Sequence, residues 1–345
     1  MKHLFVSALV WMWVACLMVG LARGDVRYTV TDIGTLGGVQ SFAYGINNLG
    51  EVVGQSSTSG EMSRHAFLYS RGVMKDLGTL GLDESFATAI NDTGEVVGMA
   101  QPAGSRADRA FRYSDGQTMP LSGLGGITTS RAYAINNSGQ IVGLVFKEDA
   151  SSTAFLYSNG RMTSLDVPGT PYDINDSGQI TGEFPVVPGE SHAFLYSGGT
   201  LYDLLDRRSV GYGINSKGQV VGQYDRVHAF LYSDGQMTAM DMRIAYAIND
   251  RGQVVGGKTA PDNLDSAMLY EDGVVSDLNT LIDPGVGWRL NLATAINEPG
   301  QIAGIGTNPS GLVHGFILTP VPEPGILWLL AGVVGLLGRP AKSNC

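Results

Sequence analysis

Cysteine is almost absent: the 345 residues contain two, Cys16 and Cys345, one near each end. The body between them can build neither a disulfide framework nor a cysteine-ligated metal site. Charge is also sparse, at 16% of residues against a usual share of about 25%. Basic residues are the scarcer kind, 22 Lys and Arg against 32 Asp and Glu, for a formal net charge of −10. A chain without a basic face cannot displace counterions from a phosphate backbone, so nucleic acid is excluded as a partner. Of the four tryptophans, Trp11, Trp13 and Trp328 lie in apolar terminal segments and only Trp288 lies in the body. A glycan-binding surface built on tryptophan platforms is therefore not indicated. No Gly-x-Ser-x-Gly elbow, His-Glu-x-x-His pair or phosphate loop occurs. Without a catalytic or cofactor motif, the expectation is a protein that is not an enzyme and carries no cofactor. Glycine, by contrast, is abundant: 48 residues, about 14% where about 7% is usual, which implies many tight turns. With 43% hydrophobic residues the chain can bury a core and is not globally disordered.

The ends read as targeting segments. Met1-Lys2-His3 precedes an apolar run from Leu4 to Leu21, then Ala22-Arg23-Gly24 and the polar Asp25. A basic start, an apolar stretch and small residues at Ala22 and Gly24 predict a signal peptide over 1–24, cut before Asp25. A lipoprotein cut at Cys16 is a lesser alternative, because Trp13 stands where a lipobox has Leu, and an uncleaved anchor is another. At the other end, Pro322-Glu323-Pro324 is followed by fourteen apolar residues, Gly325–Gly338, and by Arg339 and Lys342. Fourteen residues fall short of the ~20 that span a bilayer, which suggests a transient or interfacial segment. The order of motif, apolar helix and basic tail over 321–342 resembles the PEP-CTERM sorting signal. That resemblance implies recognition by an exosortase-like membrane protease after export. The tail has two basic residues where the pattern has a dense arginine cluster. Removing Lys2, Arg23, Arg339 and Lys342 leaves 18 basic against 32 acidic residues over 25–338, a net charge of −14 that favours solubility.

The body is repetitive. Gly45-Ile46-Asn47-Asn48-Leu49-Gly50-Glu51-Val52-Val53-Gly54 returns as Ala89-Ile90-Asn91-Asp92-Thr93-Gly94-Glu95-Val96-Val97-Gly98. The Ile-Asn-x-x-Gly core recurs at Asn136, Asn175, Asn215, Asn249 and Asn297, making seven copies spaced by 44, 45, 39, 40, 34 and 48 residues. A second motif follows each copy: His65-Ala66-Phe67-Leu68-Tyr69, Ala110-Phe111, Ala154-Phe155, His192-Ala193-Phe194, His228-Ala229-Phe230, a Met268 variant, and His314-Gly315-Phe316. Each unit reads as four short strands; in the first these are 41–47, 51–57, 65–70 and 73–78. The Asn-x-x-Gly link suits a type I turn closed by a left-handed Gly and capped by Asn.

Periods of 34–48 residues with four strands each predict the blades of an all-β, seven-bladed propeller over about 26–319. A β-solenoid is the alternative. Two features favour closure. Small residues stand four and two before the repeat Asn (Ala43/Gly45, Ala87/Ala89, Ala132/Ala134, Gly211/Gly213, Ala245/Ala247, Ala293/Ala295), with Pro171 and Asp173 as the exception in copy four. Copy seven also lacks a fourth strand, and 28–37 match 73–81, so the N-terminal strand is expected to complete the last blade and remove an open edge. The paired motifs resemble the HAF family of extracellular repeats, which often carries the same sorting signal. The resemblance implies an extracellular repeat protein with no established activity and supplies no catalytic residues.

Chemistry is faint. The four body histidines, His65, His192, His228 and His314, share one repeat position that is Arg109, Thr153 or Ser266 in other copies; spread round a ring they would not converge on a metal. The seven Ile-Asn residues read as turn caps, with a ring of side-chain amides as the alternative. Asp262-Asn263-Leu264-Asp265 and Asn91-Asp92 offer oxygen ligands for calcium, but neither has a calcium-loop spacing. The expectation is an exported bacterial module, at the cell envelope surface or in the extracellular matrix. It would bind or scaffold an extracellular polysaccharide or surface protein through the loops 58–64, 101–108, 147–152 and 259–265. The alternatives are a polysaccharide hydrolase or lyase with two channel carboxylates and a purely structural surface protein. The domains expected are 1–24, 25–320 and 321–345.

Overall fold

The computed structural model describes residues 27–322 except 61–62, 103–106, 122–128, 148–150, 166 and 260–264. The two targeting segments lie outside these residues, and with them Ala22, Gly24, Asp25, Glu323, Pro324, Arg339 and Lys342.

Seven four-stranded antiparallel sheets follow one another round a ring, so the chain is a seven-bladed propeller and not a solenoid. The innermost strands are Gly37–Ile46, Glu84–Ile90, Thr129–Ile135, Thr170–Ile174, Ser209–Ile214, Ile244–Ile248 and Arg289–Ile296, and they define blades 1 to 7. The last sheet takes its outermost strand from the N-terminus. Tyr28–Asp32 pairs with Val313–Pro320, Tyr28 opposite Pro320 and Asp32 opposite Phe316. This strand is shorter than the stretch that repeats, because 33–36 leave the sheet and lead into the first inner strand.

Alternation explains the core. Along strand 3 the Phe of the second motif (Phe67, Phe111, Phe155, Phe194, Phe230, Phe316) is fully buried in every copy that has it. Opposite each Phe stands the third residue of strand 2, a Gly in all six copies: Gly54 faces Phe67, Gly98 faces Phe111 and Gly143 faces Phe155. A Cβ on Gly98 would lie 1.9 Å from the Phe86 carbonyl oxygen and 2.9 Å from the Phe111 ring. Close approach of two strands and an aromatic ring is what keeps this position glycine. The inner strands also carry a bulge, as between Ala87 and Ala89, which the alternation pattern did not foresee.

Seven buried clusters occupy the seven junctions between blades. Val53, Ala66 and Leu77 of blade 1, for example, pack on Ala87, Val96 and Phe111 of blade 2, and Ile33, Ala303 and Ile317 pack on Ala43 and Phe67 where blade 7 meets blade 1. Burial between blades rather than within them makes the closed ring the unit of stability. The stretch after blade 6 forms two short 3-10 turns, Leu278–Thr280 and Pro284–Val286. Trp288 then stands edge-on to Phe316 at 6.1 Å.

Candidate functional site

Each repeat Asn closes its own turn. Asn136 accepts from the backbone N–H groups of Ser138 (3.1 Å) and Gln140 (2.9 Å), while its Nδ2 donates to Gln140 Oε1 at 2.8 Å. Gly139 at φ +71° completes the turn by donating to the Asn136 carbonyl at 3.0 Å. The second Nδ2 proton crosses to the next blade and meets the Asn175 carbonyl oxygen at 3.0 Å. The same inter-blade bond runs from Asn47 to Asn91, Asn91 to Asn136, Asn175 to Asn215, Asn215 to Asn249, Asn249 to Asn297 and finally Asn297 to Asn47. Turn cap and amide ring are thus the same side chains, all buried.

The partner four positions on is Glu51, Glu95, Gln140, Gln179, Gln219, Gln253 or Gln301, and it receives the Asn amide in every blade. Sequence reasoning missed this group, although the restriction to Glu or Gln in all seven copies was a visible signal. Burial works to raise the Glu95 carboxyl, but hydrogen bonds from Arg112 and Asn91 outweigh it and hold the group below the usual carboxylate range.

A second tier surrounds the channel mouth. The residue after each repeat Asn accepts a backbone N–H from the preceding blade: Asp92 from Asn48, Asn137 from Asp92, Asp176 from Asn137, Asp250 from Ser216, Glu298 from Asp250, and Asn48 from Glu298, at 2.8–2.9 Å. Among the described residues only the junction from Asp176 to Ser216, the shortest side chain of the series, lacks such a bond. The result is a polar funnel of about 230 Å³, floored by the isoleucines before the repeat Asn and rimmed by Asp92, Asp176, Asp250 and Glu298. Its carboxylates and amides are engaged in joining blades.

Deeper in the channel, the residue three before the repeat Asn is Tyr44, Thr88, Tyr133, Tyr172, Tyr212, Tyr246 or Thr294. Tyr133, Tyr172, Tyr212 and Tyr246 stand in series with ring centroids 5.4–5.7 Å apart. Burial pushes the Tyr212 hydroxyl up to about 12, and that of Tyr172 further, helped by the Glu183 carboxylate at 3.1 Å. Next to this series Asp173 takes a position held by Gly or Ala in every other blade. It fits because its neighbour in blade 5 is Gly213, and its oxygens accept from Ile174 and Ile214 N–H, each at 2.9 Å. It touches the channel, yet protein surrounds it, and this burial raises its carboxyl to about 7 against the two backbone bonds.

The histidines do not converge. His65, His192 and His314 each place Nδ1 2.8 Å from an aspartate of the adjacent outer strand, Asp76, Asp203 and Asp32. His228 has no such aspartate and stacks near Tyr224 at 5.1 Å. Among the described residues no group of three or more His, Cys, Asp or Glu side chains is gathered round a point. Asp265 pairs with Arg243 at 3.8 Å, while the other members of its acidic group, and much of the loops named above, lie outside the described residues. Of the sorting motif only Pro322 is described; Val321 beside it donates its N–H to the Arg27 carbonyl at 2.8 Å.

Comparison with solved structures returns propellers of varied kinds. YCF48 from Cyanidioschyzon merolae aligns with a TM-score of 0.51 at 10% identity, covering 84% of this chain and 98% of its own. TolB from Acinetobacter baumannii aligns at 0.44 and 11% identity over 79% and 80% of the two chains. AofleA from Arthrobotrys oligospora aligns at 0.42 and 12% over 74% and 90%. At this identity the likeness to YCF48 is one of fold. No curated protein matches the chain in sequence. A family model does: residues 75–167, from the outer strand of blade 1 through blade 3, match the family described as a protein of unknown function, DUF3466.

Proposed function

We propose that this propeller is an exported, non-enzymatic binding or scaffolding module, displayed at the bacterial envelope or released from it after processing of the 321–345 segment by an exosortase-like system. One observation carries the reading: length varies on one face only. The Asn turns are identical in length in all seven blades, whereas the connections between strands 2 and 3 range from two residues after Val187 to seven after Gln101. A rigid ring that varies its loops on one face is built for recognition of a partner, here an extracellular polysaccharide or surface protein. The funnel carboxylates support the same reading, because their oxygens already hold neighbouring blades together.

The test is expression of the full chain in a host with an exosortase system, followed by intact mass, fractionation and a panel of extracellular polysaccharides. The expected result is a product starting at Asp25, lacking the apolar C-terminal segment, that binds a panel member saturably without turnover. Shortening the loop after Gln101 should weaken that binding while leaving the melting temperature unchanged. Turnover abolished by Asp176→Asn or Asp250→Asn would replace this reading with a polysaccharide hydrolase or lyase.

A further inference from the structure

The tyrosine series is interrupted in blades 2 and 7, by Thr88 and Thr294, and the interruption in blade 2 is hollow. Tyr44 and Tyr172 each lean back over strand 2 of their own blade: Tyr44 Oη receives Gln55 Nε2 at 2.6 Å, and Tyr172 Oη donates to Glu183 Oε1 at 3.1 Å. In blade 2 the same position is Thr88, whose hydroxyl donates instead to the Ala132 carbonyl at 3.0 Å. The area that a tyrosine would cover is left as an open, shallow pocket of about 410 Å³ lined by Tyr44, Phe86, Thr88, Met99 and Gln101. In blade 1 the equivalent phenylalanine, Phe42, is covered by the Arg64 guanidinium at 5.4 Å. In blade 2 Asp108 replaces that arginine, and it pairs with Arg131 instead.

The polar groups at the pocket are few and placed at its edges. Gln55, whose Nε2 bonds Tyr44, is buried and does not line the pocket. Among the described residues no acceptor takes the Tyr44 hydroxyl proton, and burial keeps that phenol protonated. Gln101 donates Nε2 to Glu84 at 3.0 Å, which leaves its carbonyl oxygen as an acceptor. One donor and one acceptor beside an aromatic and thioether wall are too few for a sugar ring, whose hydroxyls each need a partner. They suit a flat ring with a single polar hydrogen.

We propose that the Thr88 gap is a binding slot for one planar aromatic ring of phenol or indole size, seated on Phe86 and Met99 beside Tyr44. It takes the place that a tyrosine occupies in five other blades. The slot is lined by strand residues, and of the loops that carry the proposed surface binding it shares only Gln101, the first residue of 101–108.

Calorimetric titration of the full chain with p-cresol and indole, and with cyclohexylmethanol as a non-planar control, tests it. Saturable one-to-one binding of the two planar compounds is expected, with the control at least about tenfold weaker. Thr88→Tyr, which introduces the residue of five other blades, should abolish binding and raise the melting temperature. If Thr88→Tyr fails to fold, Tyr44→Phe decides: p-cresol should weaken about five- to tenfold, the worth of one hydrogen bond, while toluene stays as before. Absence of saturable binding by the natural chain, undiminished binding by folded Thr88→Tyr, or no effect of Tyr44→Phe on p-cresol would each overturn the proposal.

Discussion

Asn297 donates its side-chain amide to the backbone carbonyl of Asn47 at 2.9 Å, across 250 positions of sequence. This bond is the seventh of a series, and it exists only because the ring is closed. It turns a local turn cap into a device that reports whether all seven blades are in place.

Substituting one member tests the ring. Asn136→Ala removes a buried group that makes four hydrogen bonds, two within its turn from backbone donors, one to Gln140 and one to Asn175. Leaving their partners unsatisfied should cost about 2–4 kcal/mol and lower the melting temperature by roughly 5–10 °C. Thermal unfolding followed by circular dichroism measures this, and a fall under 2 °C would mean that solvent replaces the ring at little cost.

Two glycines should respond differently to the same methyl group. Gly98→Ala drives a Cβ into the Phe86 carbonyl and the Phe111 ring, neither of which has room to retreat, whereas Gly116→Ala meets no atom within 4 Å and is strained only by its φ of +81°. About 3 kcal/mol is expected for the first and about 1 kcal/mol for the second. Denaturant melts of the two variants compare them directly.

Asp173 predicts a pH dependence with a definite sign. Its carboxyl titrates near 7 in the folded chain against an ordinary value of 3.8. Between these values the folded state holds a proton that the unfolded state has released, so stability falls as pH rises through the window and levels off above it. Asp173→Asn removes this contribution. The variant should therefore gain on the natural chain progressively from pH 4 to pH 8; a melting-temperature difference that stays constant over that range counts against the assignment.

The N-terminal strand should act as a detachable latch. Tyr28 is buried, and Arg27 reaches Glu271 at 2.5 Å, tying the strand to blade 6 as well as to blade 7. Deleting 25–36 exposes the edge of Val313–Pro320 and should replace one cooperative transition with a broad, earlier one. A peptide of residues 27–36 added in trans should restore part of the loss.

The architecture was legible because it repeats. Val-Val-Gly, Ala-Phe and Asn-x-x-Gly each mark one strand or turn, and seven copies in one register make a local pattern into a count of blades. The latch was legible for the same reason, since 28–36 carry the outer-strand motif that copy seven lacks. The site was less so. The amide ring joins residues 34 to 48 positions apart along the chain and Asn297 to Asn47 across its length, and nothing in a turn motif says which carbonyl its spare proton will find.

The sequence by itself determined the blade number, the strand order, the turn chemistry and the mode of closure, because these follow from short-range periodicity and from matching ends. Only the tertiary structure decided that the turn asparagines form one hydrogen-bonded ring, that Asp173 finds its space beside Gly213, and that the missing tyrosine at Thr88 leaves an open pocket instead of being filled by its neighbours. Each of these depends on how adjacent inner strands approach one another round the channel, a spacing set by closing seven twisted sheets and written in no single repeat.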